Sequence, residues 1–269
     1  MVHRQFCRVC GSSCISDVKD LDFHGFNPIN SYLDLLAMAL TDTCHEYTTH
    51  IQPDGTMLLV TLDERNRGMD SPLLAETMVG PWRLRNIRQC ANSVMAEGID
   101  GDFIECGVWR GGASIYATAA FAAYGDHRDI WVADSFAGIP APEHEADKDS
   151  VLHNSPYYVV DEAYVRAAFK RYDLLKPNVY FLPGWFKDTM PKMRGKKWSI
   201  IRCDCDLYAS TMTVLENLYD GLSRGGFCII DDYFWLKECR QAVDEYRAAH
   251  GVAEPIVKID DQGGYWRKA

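Results

Sequence analysis

The stretch DFIECGVWRGGASIYATAAFAAYG, residues 102–125, gives the clearest indication of the fold class. A short run of mainly apolar residues passes directly into a glycine-rich segment, and a long alanine-rich apolar run follows. This order is typical of a buried strand, a tight loop and a helix packed on the sheet. The stretch therefore predicts the first βα unit of an α/β sheet.

The same alternation of short strands and helices continues from this unit to the C-terminus. The first strand is expected at 102–106 and further strands at 130–134, 178–182, 198–203 and 227–230, with helices over 161–172, 210–222 and 236–250. Residues 73–98 also have helical spacing, and Pro81 must bend that helix or begin a new one. We therefore predict a doubly wound, mostly parallel sheet over residues 71–269.

Residues 1–70 are predicted to form a small N-terminal auxiliary segment without strong periodicity. Within it, residues 31–47 suggest a short helix, and residues 56–62 suggest an isolated strand or one arm of a hairpin.

The overall composition excludes some classes of function. The chain has 269 residues, 47% of them hydrophobic, and a formal net charge of −10, which opposes non-specific binding to nucleic acid. No apolar run approaches the roughly 20 residues that span a bilayer, and the N-terminus lacks the apolar core of a secretory signal. We expect a cytoplasmic protein without a membrane partner, whose ten cysteines are thiols or metal ligands.

The first βα loop is a candidate cofactor site, since ligands of such sheets bind beyond the carboxyl ends of the strands. Gly107, Gly111 and Gly112 form G-x-x-x-G-G, which differs from the dinucleotide pattern G-x-G-x-x-G. The observed spacing suits S-adenosylmethionine, a cofactor that has no pyrophosphate. The alternative is a tight βα turn that needs glycine for its conformation alone. Glu105 lies at the end of this strand, and Asp134 lies at the end of the next. An acid at the position of Asp134 accepts hydrogen bonds from ribose hydroxyls or, alternatively, starts a turn.

Carboxylates cluster at the ends of two later strands. Asp204 follows one strand, and Asp231 and Asp232 follow the next. If the strands are neighbours, these acids meet in one crevice and repel one another unless a cation such as Mg²⁺ neutralises them. Asp206 is then the natural general base for a hydroxyl held there. The alternative is that each acid caps a helix or faces solvent separately.

The cysteines raise the question of zinc. Cys203 shares a strand face with Ile201 and is expected in the core, with Cys205 as small filler between two acids. The segment CRVCGSSC places Cys7, Cys10 and Cys14 at the spacing of half a zinc knuckle. Structural zinc there would need a further ligand, and unliganded thiols are the alternative. The candidates for that ligand are His3, His24, Cys44 and His45.

A long loop, residues 138–163, has no strong periodicity, which is typical of functional or disordered segments. It could close over a substrate. His144 and His153 are either accessory bases or surface residues. Tyr157 and Tyr158 either stack on a sugar ring or pack within the protein.

Several motifs in order, from about residue 67 to the C-terminus, resemble the macrocin O-methyltransferase family. They are RGMDSPLLAETMVG, GDFIECGVWRGGASI, VADSFAGIP, FLPGWFKDTMP, DCDLYASTM, GGFCIIDDY and EPIVKIDDQGGYWRK. The resemblance implies a class I methyltransferase, Rossmann-like fold. It also implies an enzyme dependent on S-adenosylmethionine and magnesium, which methylates a metal-bound hydroxyl of a deoxysugar or glycoside. Cysteine at positions 203 and 205 departs from the family's aliphatic and small residues.

The resemblance also implies roles for individual residues. Asp204, Asp231 and Asp232 would bind the metal and Asp206 would be the base. The cofactor would lie against Glu105, Gly107 and Gly111, with Asp134 and Ser135 near the ribose and the segment of Gly184 and Phe186 along the adenine. Members of the family are oligomers in which N-terminal segments can cover a neighbouring active site.

Two other functions are compatible with the same residues. A three-acid metal site would also serve a catechol-type O-methyltransferase. A non-catalytic binding module stapled by zinc at the N-terminal cysteines is the alternative from a different class.

Overall fold

The N-terminal part of the chain precedes the main sheet. The computed structural model describes residues 5–6, 13–14, 27–52 and 55–269. Its first elements are β1 (Gln5–Phe6), β2 (Ser13–Cys14), α1 (Pro28–Leu40), β3 (Tyr47–Ile51), β4 (Met57–Thr61) and α2 (Leu62–Arg67). Cys7 and Cys10 of the predicted zinc site lie outside the described residues, and the side chain of Cys14 is not described.

A seven-stranded sheet forms the centre of the molecule. Its strands are β5 (Asp102–Cys106), β6 (Ile130–Asp134), β7 (Val179–Pro183), β8 (Trp198–Cys203), β9 (Leu222–Ile230), β10 (Val257–Lys258) and β11 (Gly264–Arg267). The spatial order is β10-β11-β9-β8-β5-β6-β7. Strands β5 to β9 pair in parallel, and β11 is antiparallel to both β9 and β10. The predicted doubly wound, mostly parallel sheet is confirmed.

Helices connect these strands and cover the sheet. They are α3 (Pro81–Ala96), α4 (Gly112–Ala123), α5 (Glu162–Arg171), α6 (Phe186–Thr189), α7 (Tyr208–Leu218) and α8 (Lys237–His250). Pro81 begins α3, because proline at the first helical position has no N–H to satisfy and a suitable φ. Of the two expectations for this proline, a new helix is the one observed.

The auxiliary segment shares the core of the sheet domain. Leu33, Leu36 and Leu40 on one face of α1 are buried in the same cluster as α4 residues such as Ile115 and Tyr116. The short helix expected within 31–47 is therefore present and ends at Leu40. The sequence did not predict β3, which pairs with β4 as a hairpin. The domain boundary at residues 70/71 stays a prediction.

The chain order within the sheet places the candidate site. From β5 the chain proceeds to β6 and β7 at one edge, then returns to β8 on the other side of β5. The switch point of such a sheet lies between the two strands from which the chain departs in opposite directions. Here it lies beyond the carboxyl ends of β5 and β8. None of the helices in the described part of the chain is long and apolar enough to cross a membrane.

Candidate active site

The loops after β5 and β8 are in direct contact. The amide of Asp204 donates to the carbonyl oxygen of Cys106 at 2.9 Å. Gly107 has a φ of +87°, and a Cβ there would lie 1.7 Å from the carbonyl oxygen of Asp204. Only glycine fits so close an approach of two backbones. The predicted cofactor loop and the predicted metal site are thus joined at this point.

A cavity of about 530 Å³ opens at these strand ends. Six of the predicted site residues line it: Gly107, Asp134, Ser135, Phe186, Asp204 and Asp206. The other five do not: Glu105, Gly111, Gly184, Asp231 and Asp232. The cavity therefore touches both the expected cofactor loop and the expected acid cluster.

Asp134 holds the glycine loop in shape. Its Oδ2 accepts a hydrogen bond from the amide of Val108 at 2.7 Å, and its Oδ1 accepts one from the amide of Phe136 at 2.8 Å. Burial raises the pKa of this carboxyl group, and the backbone donors partly oppose that effect. Both the cavity wall and the loop after β5 therefore depend on this side chain.

Glu105 lies beneath the loop and not at the cavity. Its carboxylate accepts from Arg202 Nη1 at 2.5 Å and from the Ser114 hydroxyl. Burial is the main cause that raises its pKa, to about 7, while Arg202 opposes that rise. This geometry makes Glu105 a support for β5 and α4, and its predicted contact with the cofactor stays a prediction.

Gly111 and Gly184 shape the chain around the cavity. A Cβ on Gly111, whose φ is +87°, would lie 2.6 Å from Val165 Cγ1 of α5. Gly184 has a φ of +129° and turns the chain so that Trp185 and Phe186 line the cavity. Both glycines therefore act through backbone conformation and close packing.

Three carboxyl groups come together at the ends of β8 and β9. Asp204, Asp206 and Asp232 each offer an oxygen, and these atoms all lie within 4.8 Å of one another. Burial, and next the negative charge of Asp231, raises the pKa of Asp204 to about 6. Burial, and next the charge of Asp204, raises the pKa of Asp206 to about 8. Asp232 Oδ2 is buried without a hydrogen-bond partner among the described residues. This donor set fits a hard divalent cation.

Asp231 has other partners. Its Oδ1 accepts a hydrogen bond from Arg202 Nη2, and its Oδ2 accepts one from Arg83 Nη1. Arg83 also lies beside Asp260, with Nε 3.0 Å from Oδ2. Of the predicted ligands, Asp204 and Asp232 thus lie together with Asp206, the predicted base. The third predicted ligand, Asp231, is bound by two arginines.

Asp206 has an unusual backbone conformation. Its φ is +55°, in the left-handed region that non-glycine residues seldom occupy. Such conformations cost of order 1 kcal/mol or more and persist only where the surroundings enforce them. They are common at functional sites, which agrees with the position of this carboxyl group at the cavity.

The two cysteines beside these acids belong to the packed interior. Cys203 is fully buried, and Cys205 is 5% exposed. Their sulfur atoms lie 3.3 Å apart. Burial raises the pKa of Cys205 well above its usual value, which opposes the thiolate that zinc requires. The expectation that Cys203 is a core residue is confirmed.

The segment between β6 and α5, residues 135–161, is termed the cover loop. It contains three short 3₁₀ turns, at Glu145–Asp147, Leu152–Asn154 and Pro156–Tyr158. The Tyr157 ring packs against Trp109 with centroids 5.2 Å apart, and its hydroxyl donates to the Pro72 carbonyl at 2.8 Å. His153 and Tyr158 line the cavity, whereas His144 does not. Tyr157 therefore packs within the protein, and Tyr158 remains available to a ligand.

Sequence reasoning missed several residues that build this site. Arg202 interrupts an otherwise apolar strand, and a charged residue in such a strand is a signal of a buried partner. No comparable signal marks Arg83 in α3, Trp109 in the glycine loop or Asp147 in the cover loop, because each acts on residues far away in sequence.

Comparison with known proteins gives one consistent result. The family described as macrocin-O-methyltransferase (TylF) matches residues 29–268. The chain is 43% identical over 249 residues to mycinamicin III 3''-O-methyltransferase of Micromonospora griseorubida, covering 90% of this chain and 97% of that protein. It is 44% identical over 247 residues to 8-demethyl-8-(2,3-dimethoxy-alpha-L-rhamnosyl)-tetracenomycin-C 4'-O-methyltransferase of Streptomyces olivaceus, covering 88% and 92%. The solved structure of the O-methyltransferase NovP matches with a TM-score of 0.84 and 41% identity, covering 90% of this chain and 99% of that one.

Proposed function

The chain belongs to the macrocin-O-methyltransferase family, and from this premise we propose that it methylates a hydroxyl group of a deoxysugar or related glycoside. It is an S-adenosylmethionine-dependent O-methyltransferase. Two relatives with more than 40% identity are both named as O-methyltransferases, and the name of one includes a rhamnosyl group, which is a deoxysugar, in its substrate. The comparisons favour this enzyme over a non-catalytic binding module.

One observation carries the proposal. The same cavity is lined by Gly107, Asp134 and Ser135 of the expected cofactor site and by Asp204 and Asp206 of the acid cluster. A methyl donor on the glycine loop and an acceptor hydroxyl at the acids would therefore lie within one cavity. Such positioning is what a displacement reaction requires, because the reacting atoms must approach in line.

We propose that Asp204 and Asp232 hold Mg²⁺. These two acids belong both to the expected ligand set and to the observed cluster, and Mg²⁺ commonly takes one or two carboxylates together with water and substrate oxygens. The cation would supply Lewis-acid chemistry that lowers the pKa of the acceptor hydroxyl. Asp231, which two arginines bind, is the third ligand that the resemblance implies, and its contribution is open to test.

Asp206 is proposed as the general base. Its carboxyl group lines the cavity and lies beside Asp204. In its ionised form this carboxylate can accept the hydroxyl proton, and in the metal-free protein burial is the main cause that raises its pKa, to about 8. Asp204 and Asp232 remain to bind the cation while Asp206 takes the hydroxyl proton.

The cofactor would occupy the end of the cavity formed by the loops after β5, β6 and β7. Asp134 and Ser135 would lie near the ribose and Trp185 and Phe186 along the adenine, since all four residues line the cavity. Aromatic and apolar walls of this kind also exclude water from the transferring methyl group.

The first test is calorimetric titration with S-adenosylhomocysteine, with NAD as the control ligand. Micromolar binding of S-adenosylhomocysteine alone supports the cofactor assignment. Acceptor screens with and without Mg²⁺ then compare glycosides with catechols. Mg²⁺-dependent methylation of glycosides supports the proposal. Methylation of catechols alone would mean that the acceptor is a catechol and not a glycoside. Methylation of glycosides in the presence of EDTA would contradict the proposed role of Mg²⁺.

Three further predictions concern the state of the protein. A homo-oligomer is supported by exposed apolar side chains on α1 and the β3–β4 hairpin, such as Leu35 (62% exposed) and Leu59 (75%), and light scattering measures its mass. A cytoplasmic location follows from the sequence expectations and is tested by cell fractionation. Structural zinc at Cys7, Cys10 and Cys14 is tested by metal analysis of the purified protein.

A further inference from the structure

Asp147 is a buried acid of the cover loop that none of the proposed chemistry uses. Its side chain is completely inaccessible to solvent, although it lies in a loop with exposed neighbours. An ionised carboxylate is buried in this way only when hydrogen bonds compensate for its lost hydration. The partners of Asp147 therefore indicate what the residue does.

Both oxygens of Asp147 bind the first turn of α7. Oδ1 accepts from the amide of Tyr208 at 2.7 Å, and Oδ2 accepts from the amide of Ala209 at 3.1 Å. The residue at the N-cap position of α7 is Leu207, whose side chain offers no acceptor. Asp147 thus supplies from the cover loop the cap that the helix lacks locally, and its charge suits the positive end of the helix dipole.

A second contact joins the same two elements. The His144 ring stacks on the Tyr208 ring, with centroids 4.2 Å apart and an interplanar angle of 15°. The Tyr208 hydroxyl donates to Glu245 Oε2 of α8 at 2.6 Å. Tyr208 is therefore held by the cover loop through both its backbone and its ring, and by α8 through its hydroxyl.

Tyr208 is separated from the proposed base by a single residue. Asp206 has a left-handed backbone, so the chain turns sharply between the end of β8 and the start of α7. The amides that Asp147 binds lie immediately after this turn. A cover loop in place fixes the turn, and a displaced loop leaves the first turn of α7 without acceptors.

We propose that Asp147 is a positioning residue, which couples the seated cover loop to the placement of the Asp206 carboxyl group. This inference rests on the proposed function, since it concerns the same acceptor site. The cover loop lines the cavity, and through one pair of hydrogen bonds it fixes the turn that follows the base. Full activity is thus reached only when the cover loop is seated against the start of α7.

The test compares Asp147→Ala and Asp147→Asn with the control Glu145→Gln, which changes an exposed acid in the same turn. Asn keeps one acceptor and caps helices well, so it should restore part of what Ala loses. We expect Asp147→Ala to lower kcat about 10- to 100-fold, as for a misplaced catalytic group, with S-adenosylhomocysteine affinity within about threefold of the unaltered protein. Glu145→Gln should match the unaltered protein.

Hydrogen–deuterium exchange of residues 204–212 provides a readout that does not depend on turnover. Asp147→Ala should exchange faster in this segment, and Asp147→Asn should lie between the two. Unchanged exchange or unchanged kcat in Asp147→Ala overturns the inference. If Asp147→Ala does not fold, Asp147→Asn decides by the same two measurements. Failure of the unaltered protein to methylate any acceptor refutes the proposed function instead, while the exchange experiment still tests the coupling.

Discussion

Arg202 and Glu105 form an ion pair inside the sheet, with Nη1 2.5 Å from Oε1 and at most 2% of either side chain exposed. The same guanidinium group also binds Asp204, at 2.9 Å, and Asp231. One cation thus links the strand beneath the cofactor loop to the acids at the cavity. Because Arg202 is shared among three acids, the cluster retains negative charge, and this charge raises carboxyl pKa values and favours an added cation.

Replacement of Arg202 by Met should strongly destabilise the protein. It leaves Glu105, Asp204 and Asp231 without their common partner, and breaking a buried ion pair on one side costs about 3–5 kcal/mol. Urea denaturation measures the free energy of unfolding. Arg202→Lys retains the charge but not the planar fork of donors, so its loss should be intermediate.

A double variant separates the ion pair from general packing. Glu105→Gln removes one of the unpaired acids, so Arg202→Met combined with Glu105→Gln should be less destabilised than the sum of the two single variants. Strict additivity of the three free energies would refute an energetic link between these residues.

The metal-free protein should lose stability as pH rises from about 6 to 8. The pKa values of Asp204 and Asp206 are raised to about 6 and about 8, so the folded state binds protons that the unfolded state has released. Each of these acids contributes its full stabilisation of the folded state below the pKa that it has in the unfolded chain. This contribution is lost as pH rises through the pKa that it has in the folded state. Thermal unfolding in EDTA at pH 5.5, 6.5 and 7.5 measures this slope.

Mg²⁺ should reverse this trend, because a bound cation favours the ionised carboxylates. The increase in Tm on adding Mg²⁺ should thus be larger at pH 7.5 than at pH 5.5. Asp206→Asn, which removes the acid with the higher pKa, should flatten the slope in EDTA. An EDTA profile that rises between pH 6 and 8 would contradict the assignment of these shifts to the acid cluster.

Asp204→Asn should abolish turnover that depends on Mg²⁺ and leave cofactor affinity nearly intact. Loss of a carboxylate ligand weakens metal binding, and we expect a fall in activity of more than about 100-fold. Calorimetric titration with S-adenosylhomocysteine and with Mg²⁺ separates the two sites. Asp173→Asn, which removes an acid that is 97% exposed and lies just after the C-terminal end of α5, is the matched control. Equal loss of both affinities would show that the metal and cofactor sites are not separable.

The sequence predicted the sheet well where strands are buried on both sides. Strands β5, β6 and β8 have the predicted bounds, because each is a mainly apolar run whose ends lie at or beside glycine or charged residues. The hairpin strand β3, with the sequence YTTHI, was missed. It is mostly half-exposed and lacks the alternation of a strand with one buried face.

The positions of the candidate acids were predicted, but their partners were not. Strand ends identify Asp204, Asp231 and Asp232, since parallel neighbours meet at one edge. Which of them faces the cavity depends on Arg83, 148 residues before Asp231 in the chain, and on Arg202. Pairings over such distances follow from the assembled fold and not from local pattern.

Gly107→Ala should disrupt both halves of the site at once. The new Cβ would lie 1.7 Å from the Asp204 carbonyl oxygen, so the loop after β5 or the loop after β8 must move, and the φ of +87° is unfavourable for alanine. Gly125→Ala is the matched control, because Gly125 also has a positive φ, +76°, and within the described residues no atom beyond its chain neighbours lies within 4 Å of its Cβ position. We expect the control to lose about 1 kcal/mol of unfolding free energy, the cost of the backbone conformation alone. Gly107→Ala should lose about 3 kcal/mol or more and should weaken binding of both S-adenosylhomocysteine and Mg²⁺. Denaturation and calorimetry of the pair measure these effects, and equal losses in the two variants would mean that the contact between the loops does not hold the site together.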